Sequence, residues 1–239
     1  MPALSRLPAV AVCREPEILT APVVDAPAPW AIRGRGYVSL MRGPAAVLDG
    51  DPFIAPALRG KRRPGRLAIL MLVDYADTPA GPYRELLYIP GSYDFHGQHF
   101  WSISRIFVST LDSVVNGRRN WGIPKDKADF NFTPTARGER ITVTVDGREI
   151  AGFDYDRARF TLPVTTAIIP RSFRCLGQVM GDHLFTLAPG ARGRAGLSRL
   201  RDWRTDGEFM PDLSALKPVL SVAIPRFHMS FPVASITPL

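Results

Sequence analysis

Apolar positions along this chain come in short runs separated by Pro, Gly, Asp and Asn, a spacing that suits many strands better than long helices. The clearest run is Arg66-Leu-Ala-Ile-Leu-Met-Leu-Val-Asp-Tyr75, an unbroken apolar stretch that predicts a strand buried on both faces. Tyr37 and Val38 mark an earlier strand over 36–41, and Glu85-Leu-Leu-Tyr-Ile89 a later one stopped by Pro90-Gly91. Phe100–Leu111 reads as a further strand, and Asp112 as the N-cap of a short helix over 112–119, which Trp121-Gly-Ile-Pro124 ends. Asp129–Thr133 and Arg140–Val145 alternate apolar and polar residues, and Asp146-Gly147 joins the latter to Glu149–Tyr155 as a hairpin. Strands are also predicted over Thr161–Ile169, His183–Leu187 and Val219–Pro225, and a short helix over Gly196–Arg204. The fold class is α+β, predominantly antiparallel β, arranged as a sandwich or barrel with a few short helices.

Composition divides the chain in two. Residues 1–30 hold six of the 23 prolines and predict an extended arm. Residues 31–239 then form a single domain, without a linker or repeat. The net charge of +8 raises the question of nucleic acid. Much of it is local, however, in the loop of Arg59, Lys61, Arg62, Arg63 and Arg66 and in the arginines of 192–204, and no recognition motif accompanies it. No nucleic-acid partner is expected. No apolar run approaches the ~18 residues that span a bilayer, and Leu7–Val12 is too short for a signal-peptide core. Cys13 and Cys175 read as reduced thiols, with a single bridge left open. Together these features predict a cytoplasmic protein with no membrane association.

The chemistry concentrates in Asn116-Gly-Arg-Arg-Asn-Trp-Gly-Ile-Pro-Lys-Asp-Lys127. Pro124 fixes its own φ and biases Ile123 towards an extended backbone, which can hold Lys125 at a set angle to a cavity. A lysine attacks a carbonyl only as the neutral amine, and a free pKa of ~10.4 leaves little of that form at neutral pH. Apolar walls or a nearby cation would lower it. Elsewhere, His96 and His99 follow Asp94, but no third ligand is evident and no metal site is read there. There is no Gly-rich phosphate loop and no nucleophile elbow, so no cofactor is expected.

Trp121-Gly-Ile-Pro-Lys125 resembles the nucleophile motif of the acetoacetate decarboxylase family, where an aromatic or apolar residue and Pro precede a Schiff-base lysine. Pro29-Trp-Ala-Ile-Arg-Gly-Arg-Gly-Tyr37 resembles that family's N-terminal segment, and Asp77-Thr-Pro-Ala-Gly-Pro-Tyr-Arg-Glu85 the turn leading to its active-site glutamate. The resemblance covers roughly residues 27–190 and rests on the common order of three short motifs. It implies a β-barrel, a homo-oligomer, and a small keto acid or aldehyde as substrate. By motif, Lys125 is the nucleophile, Glu85 the acid near the imine, and Arg35 the cation that receives the substrate carboxylate, with Arg33 the alternative by register. The implied chemistry is an imine whose protonated form draws electrons from a breaking carbon–carbon bond, as in acetoacetate decarboxylase, itself the standard example of a lysine activated by a neighbouring cation or by desolvation.

This chain departs from the family at two places. Asp126 follows the nucleophile where the decarboxylases have a second lysine, Lys127 being displaced by one, and Ala68–Val73 offers no second acidic residue. The leading expectation is a Schiff-base-forming lyase that breaks a carbon–carbon bond by decarboxylation or aldol-type chemistry. An aldolase-dehydratase with the same imine, or a non-catalytic β-barrel binding a small apolar or anionic ligand, are the alternatives. Two geometric expectations follow. Asp126 should point away from the Lys125 amine, because a facing carboxylate raises its pKa. Arg35 and Glu85 should converge on the cavity that holds Lys125.

Overall fold

The computed structural model describes residues 23–239. Its strands, in chain order, are β1 (Trp30–Arg42), β2 (Leu67–Asp77), β3 (Tyr83–Ile89), β4 (Ser92–Phe95), β5 (Gln98–Trp101), β6 (Arg105–Val108), β7 (Lys125–Lys127), β8 (Asp129–Pro134) and β9 (Gly138–Val145). They continue as β10 (Arg148–Asp156), β11 (Leu162–Thr165), β12 (Leu176–Met180), β13 (His183–Leu187), β14 (Gly190–Ser198), β15 (Leu200–Thr205), β16 (Lys217–Phe231) and β17 (Ser235–Pro238). Three helices interrupt them: α1 (Ala45–Asp49), α2 (Leu111–Trp121) and α3 (Arg171–Arg174). None of the described helices is long and apolar enough to cross a membrane.

The strands form three sheets. The largest runs β11-β14-β16-β1-β2-β3-β6-β7, antiparallel throughout except for the last pair. The others run β15-β10-β9-β8 and β17-β13-β12-β5-β4. The mostly antiparallel β-architecture agrees with the sequence reading; none of the three described sheets closes on itself, so this strand order does not of itself make the expected barrel.

The run at 67–77 is buried on both faces, as its composition predicts, but the two faces do different things. Ala68, Leu70 and Leu72 pack into a core with Ile141, Val143 and Phe153 from β9 and β10. Each such side chain contributes about 1.5–3 kcal/mol by leaving water. The alternate residues Ile69, Met71 and Val73 face a cavity instead.

Three predicted elements differ from the fold. The strand expected over Thr161–Ile169 covers only Leu162–Thr165, and a 3-10 turn over Thr166–Ile168 follows it, capped by the Thr165 side chain. Phe100–Leu111 is divided between β5 and β6, in different sheets. The break falls at Ser102–Ser104, where the Ser104 hydroxyl donates to buried Asp51 (2.6 Å). Gly196–Arg204 is not helical but spans the end of β14 and most of β15. Leu197 pairs with Val222 and Arg204 with Gly152, so ladder partners overrode a weak helical spacing. The predicted strands at 36–41 and 219–225 are the central parts of the longer β1 and β16.

Helix α2 carries much of the local order. Thr110, rather than Asp112, is its N-cap, accepting from the Ser113 amide. Asp112 sits in the first turn and accepts the Val24 amide (2.6 Å). Asn116 exchanges bonds with Ala26 and Val24, so residues 23–29 lie along this helix before Trp30 opens β1. The remainder of the arm expected over 1–30, and Cys13 with it, lies outside the described residues. Gly122, at φ 62°, ends α2 in the left-handed conformation, and Pro124 prevents its continuation.

Candidate active site around Lys125

Period-two alternation brings one face of β2 and β3 onto a single cavity of about 560 Å³. Tyr75 on β2, and Tyr83, Glu85, Leu87 and Ile89 on β3, all line it. Lys125, the first residue of β7, reaches the same cavity and is 3% exposed. Its backbone is fixed on both sides: its amide donates to Ile123 O (2.8 Å), and Arg118 Nε donates to its carbonyl (2.9 Å). Its stem crosses α2 at Gly117, where an added Cβ would stand 2.5 Å from Lys125 Cδ. Glycine is therefore required there by the lysine rather than by the helix.

The amine ends among three polar groups, with a fourth behind them. Nζ lies 3.1 Å from Glu85 Oε2 and donates to Ser113 Oγ (3.0 Å) and to Tyr83 OH (3.3 Å). Tyr75 OH donates to the other carboxylate oxygen of Glu85 (2.9 Å). Glu85 is 4% exposed, so both charges of the pair are out of water. Burial acts to lower the pKa of the Lys125 amine, but Tyr83 and Glu85 outweigh it, and the net direction is upward. The resting amine is thus an ammonium ion. Burial first, and then the Glu85 charge, hold the Tyr75 hydroxyl well above its ordinary pKa, so it serves as a neutral donor.

Such a pair has a second state open to it. Moving one proton from Nζ to Glu85 yields a neutral amine and a neutral acid, with no net change in charge. Water and high dielectric favour the ionic form, and exclusion of water favours the neutral one. The arrangement can therefore deliver a nucleophilic amine when the cavity is filled by something drier than water.

Of the sequence-derived residues, Lys125 and Glu85 come together, 40 positions apart in the chain. Arg35 does not join them. It pairs with Asp74 (2.9 Å) and makes a two-pronged contact with Glu139 (2.9 and 3.1 Å). Asp74 lies between the cavity-facing Val73 and Tyr75, so Arg35 is on the opposite face of the sheet. Alternation along β1 is the cause: Ile32, Gly36 and Val38 line the cavity, while Arg35 shares its face with Tyr37 and Met41, which pack into the other core. The alternative, Arg33, pairs with Asp77 at the surface (2.5 Å). Asp126 points away from the amine, as the energetics required. It binds Arg105, and Arg118 (2.7 Å), on the other side of β7.

Two partners of the amine, Tyr83 and Ser113, and the Tyr75 that holds Glu85 were missed in the sequence. Tyr83 carried a usable signal, because it stands two residues before Glu85 on one strand and must share its face. Tyr75 and Ser113 carried none, since only the pairing of Tyr75 with Tyr83 and the docking of α2 bring them near.

No family model matches the chain, and no curated relative matches its sequence. Solved structures do match. An acetoacetate decarboxylase is 13% identical, with 95% of this chain and 98% of that one covered and a TM-score of 0.66. The acetoacetate decarboxylase of Legionella pneumophila is 14% identical, covering 91% and 92%, with a TM-score of 0.62. The chain has the acetoacetate decarboxylase-like fold. The same fold is found in the enduracididine biosynthesis enzyme MppR, solved with the condensation product of pyruvate and imidazole 4-carboxaldehyde; it is 14% identical, covers 98% of both chains and has a TM-score of 0.60. The likeness of fold and the order of the three short motifs point in the same direction.

Proposed function

We propose that this protein is a Schiff-base-forming lyase in which Lys125 attacks the carbonyl of a keto substrate. The observation that carries the reading is the buried Lys125–Glu85 pair at an otherwise apolar cavity. In the proposed cycle Glu85 takes a proton from the ammonium, and the neutral amine adds to the carbonyl. Glu85 returns the proton to the carbinolamine oxygen, which leaves as water. The protonated imine then draws the electron pair of a carbon–carbon bond into an enamine, releasing carbon dioxide from a 3-keto acid or an aldehyde from an aldol. A proton delivered to the enamine carbon, followed by addition of water, frees the product and the lysine.

The test is reductive trapping. Borohydride added in the presence of acetoacetate or pyruvate should fix an adduct of the corresponding mass on the peptide containing Lys125. An adduct confined to other lysines, or none with any carbonyl compound, rejects the assignment.

Aldol addition with dehydration is the second reading. What favours it is room: a cavity of about 560 Å³ holds two small carbonyl reactants side by side. We also expect a homo-oligomer. Phe160, Leu162, Leu197 and Leu220 are exposed along the β11–β14–β16 end of the large sheet, where β11 is the edge strand among the described residues. Light scattering should give a mass above the 26.3 kDa of one chain.

A further inference from the structure

The reacting site occupies one small part of a large cavity, and the rest of that cavity has no polar role to play. A void of roughly 150 Å³ with apolar walls already takes up a benzene ring, so 560 Å³ gives room for on the order of fifteen to twenty non-hydrogen atoms. A keto acid of about four carbons leaves most of that space empty. Beyond Lys125 and its partners the walls are apolar: Ile69 and Met71 from β2, Leu87 from β3, Ile103, and Phe227 and Met229 from β16.

Charge is distributed just as unevenly. Among the described residues, the charged groups lining the cavity are Glu85, Lys125, Arg174 and Arg192. Arg174 and Arg192 also line the more open depression beside it, which places them at the opening. Arg174 is engaged there by the carbonyls of Ile169, Ala188 and Pro189. Among the described residues no cation besides Lys125, already paired with Glu85, stands inside to offset a second carboxylate, which would be expensive to desolvate there. At the opening the lining stays apolar as it reaches the surface, where Ile169 is 40% and Phe173 66% exposed.

From these observations we infer that the substrate is a keto compound with a bulky apolar body, a long alkyl chain or an aryl group, attached to the reacting carbonyl. The body enters past Ile169 and Phe173, fills the space between β2 and β16, and leaves only the carbonyl end at Lys125. It supplies the dry filling that converts the ionic Lys125–Glu85 pair to its neutral form, so the same group that gives selectivity also activates the nucleophile. This inference rests on the imine reading and specifies its substrate class.

The experiment uses a series of methyl ketones, from butanone through hexan-2-one and octan-2-one to undecan-2-one, trapped with borohydride at Lys125. The half-saturating concentration should fall about fourfold for each added methylene until the cavity is full. Met71→Trp, which fills the cavity from β2, should raise the half-saturating concentration of undecan-2-one far more than that of butanone. The same ketones should be titrated calorimetrically into Lys125→Met, which forms no imine, and should show the same length dependence. Trapping at Lys125 that is indifferent to chain length overturns the apolar body and leaves the imine standing. Length-dependent binding to both proteins without any trapping keeps the apolar ligand and rejects the imine. Flat binding to Lys125→Met overturns the substrate class regardless of the chemistry.

Discussion

Two buried charge clusters lie on either side of one peptide bond. Asp126 is held by Arg105 and Arg118, and the Arg105 guanidinium also donates to Phe209 O (2.6 Å) and packs over the Phe107 ring. Lys125, one residue earlier, is held by Glu85, Ser113 and Tyr83. Both clusters are shut away from solvent, yet they differ in what protons can do. Arginine keeps its proton at any pH a protein survives, so the Asp126 cluster has no neutral state and is a permanent clamp. Lysine and glutamate can exchange a proton within their pair, so the Lys125 cluster has two states of equal net charge. Only the second cluster opens onto the cavity. Burial of charge alone therefore does not mark a reactive site; the ability to discharge next to a space for substrate does.

The largest effect should come from Lys125→Met. Adduct formation should vanish, while the fold persists because Glu85 can take up a proton and still accept from Tyr75. A folded variant that still traps a keto compound at full yield would break the comparison. On the other side of the bond, Asp126→Asn leaves two arginines without their shared carboxylate and should cost about 3–5 kcal/mol of stability. Chemical denaturation measures this, and a loss below about 1 kcal/mol would mean that the clamp is not structural.

Gly117→Ala separates position from stability. Within a helix this change normally adds up to about 1 kcal/mol. Here the new methyl group meets the Lys125 stem, so the melting temperature should change little while trapping slows roughly tenfold, in line with the cost of misplacing a reacting group. Equal slowing with a large loss of stability would point to helix damage instead. The smallest effect is expected from Arg35→Ala. It breaks partly exposed ion pairs on the far face of the sheet, worth about 1 kcal/mol or less, and should leave the half-saturating concentration of keto acids unchanged.

How much of this was legible in the sequence follows from the range of the interactions involved. Lys125 was legible because its restraints are local: a helix stop at Gly122, a proline, and a strand start. The burial of 67–77 on both faces was legible from its unbroken apolar run, although nothing in that run says that one face meets a cavity. Glu85 was found by resemblance and could have brought Tyr83 with it through strand alternation. Arg35 stands on the face opposite Ile32 and Val38, and which of the two β1 faces meets the cavity is known only once the sheet is packed. The mostly antiparallel arrangement was legible in the short apolar runs, whereas the order of strands within each sheet depends on long-range pairing that no local pattern carries.

The central claim is that the proton of Lys125 is governed by Glu85. Its most direct test is the pH dependence of the rate of trapping in the wild type and in Glu85→Gln. The amine pKa is raised in the fold, so trapping should increase as pH rises through it, and any stability that the pair contributes is retained below the unfolded pKa of ~10.4 and lost only above the folded value. Replacing Glu85 by a neutral amide removes one of the two groups that raise this pKa, leaving Tyr83, which raises it, and burial, which lowers it. The account predicts that the rise moves to lower pH in Glu85→Gln, even though its plateau is slower for want of a proton relay. An unshifted rise in a folded Glu85→Gln protein would contradict it.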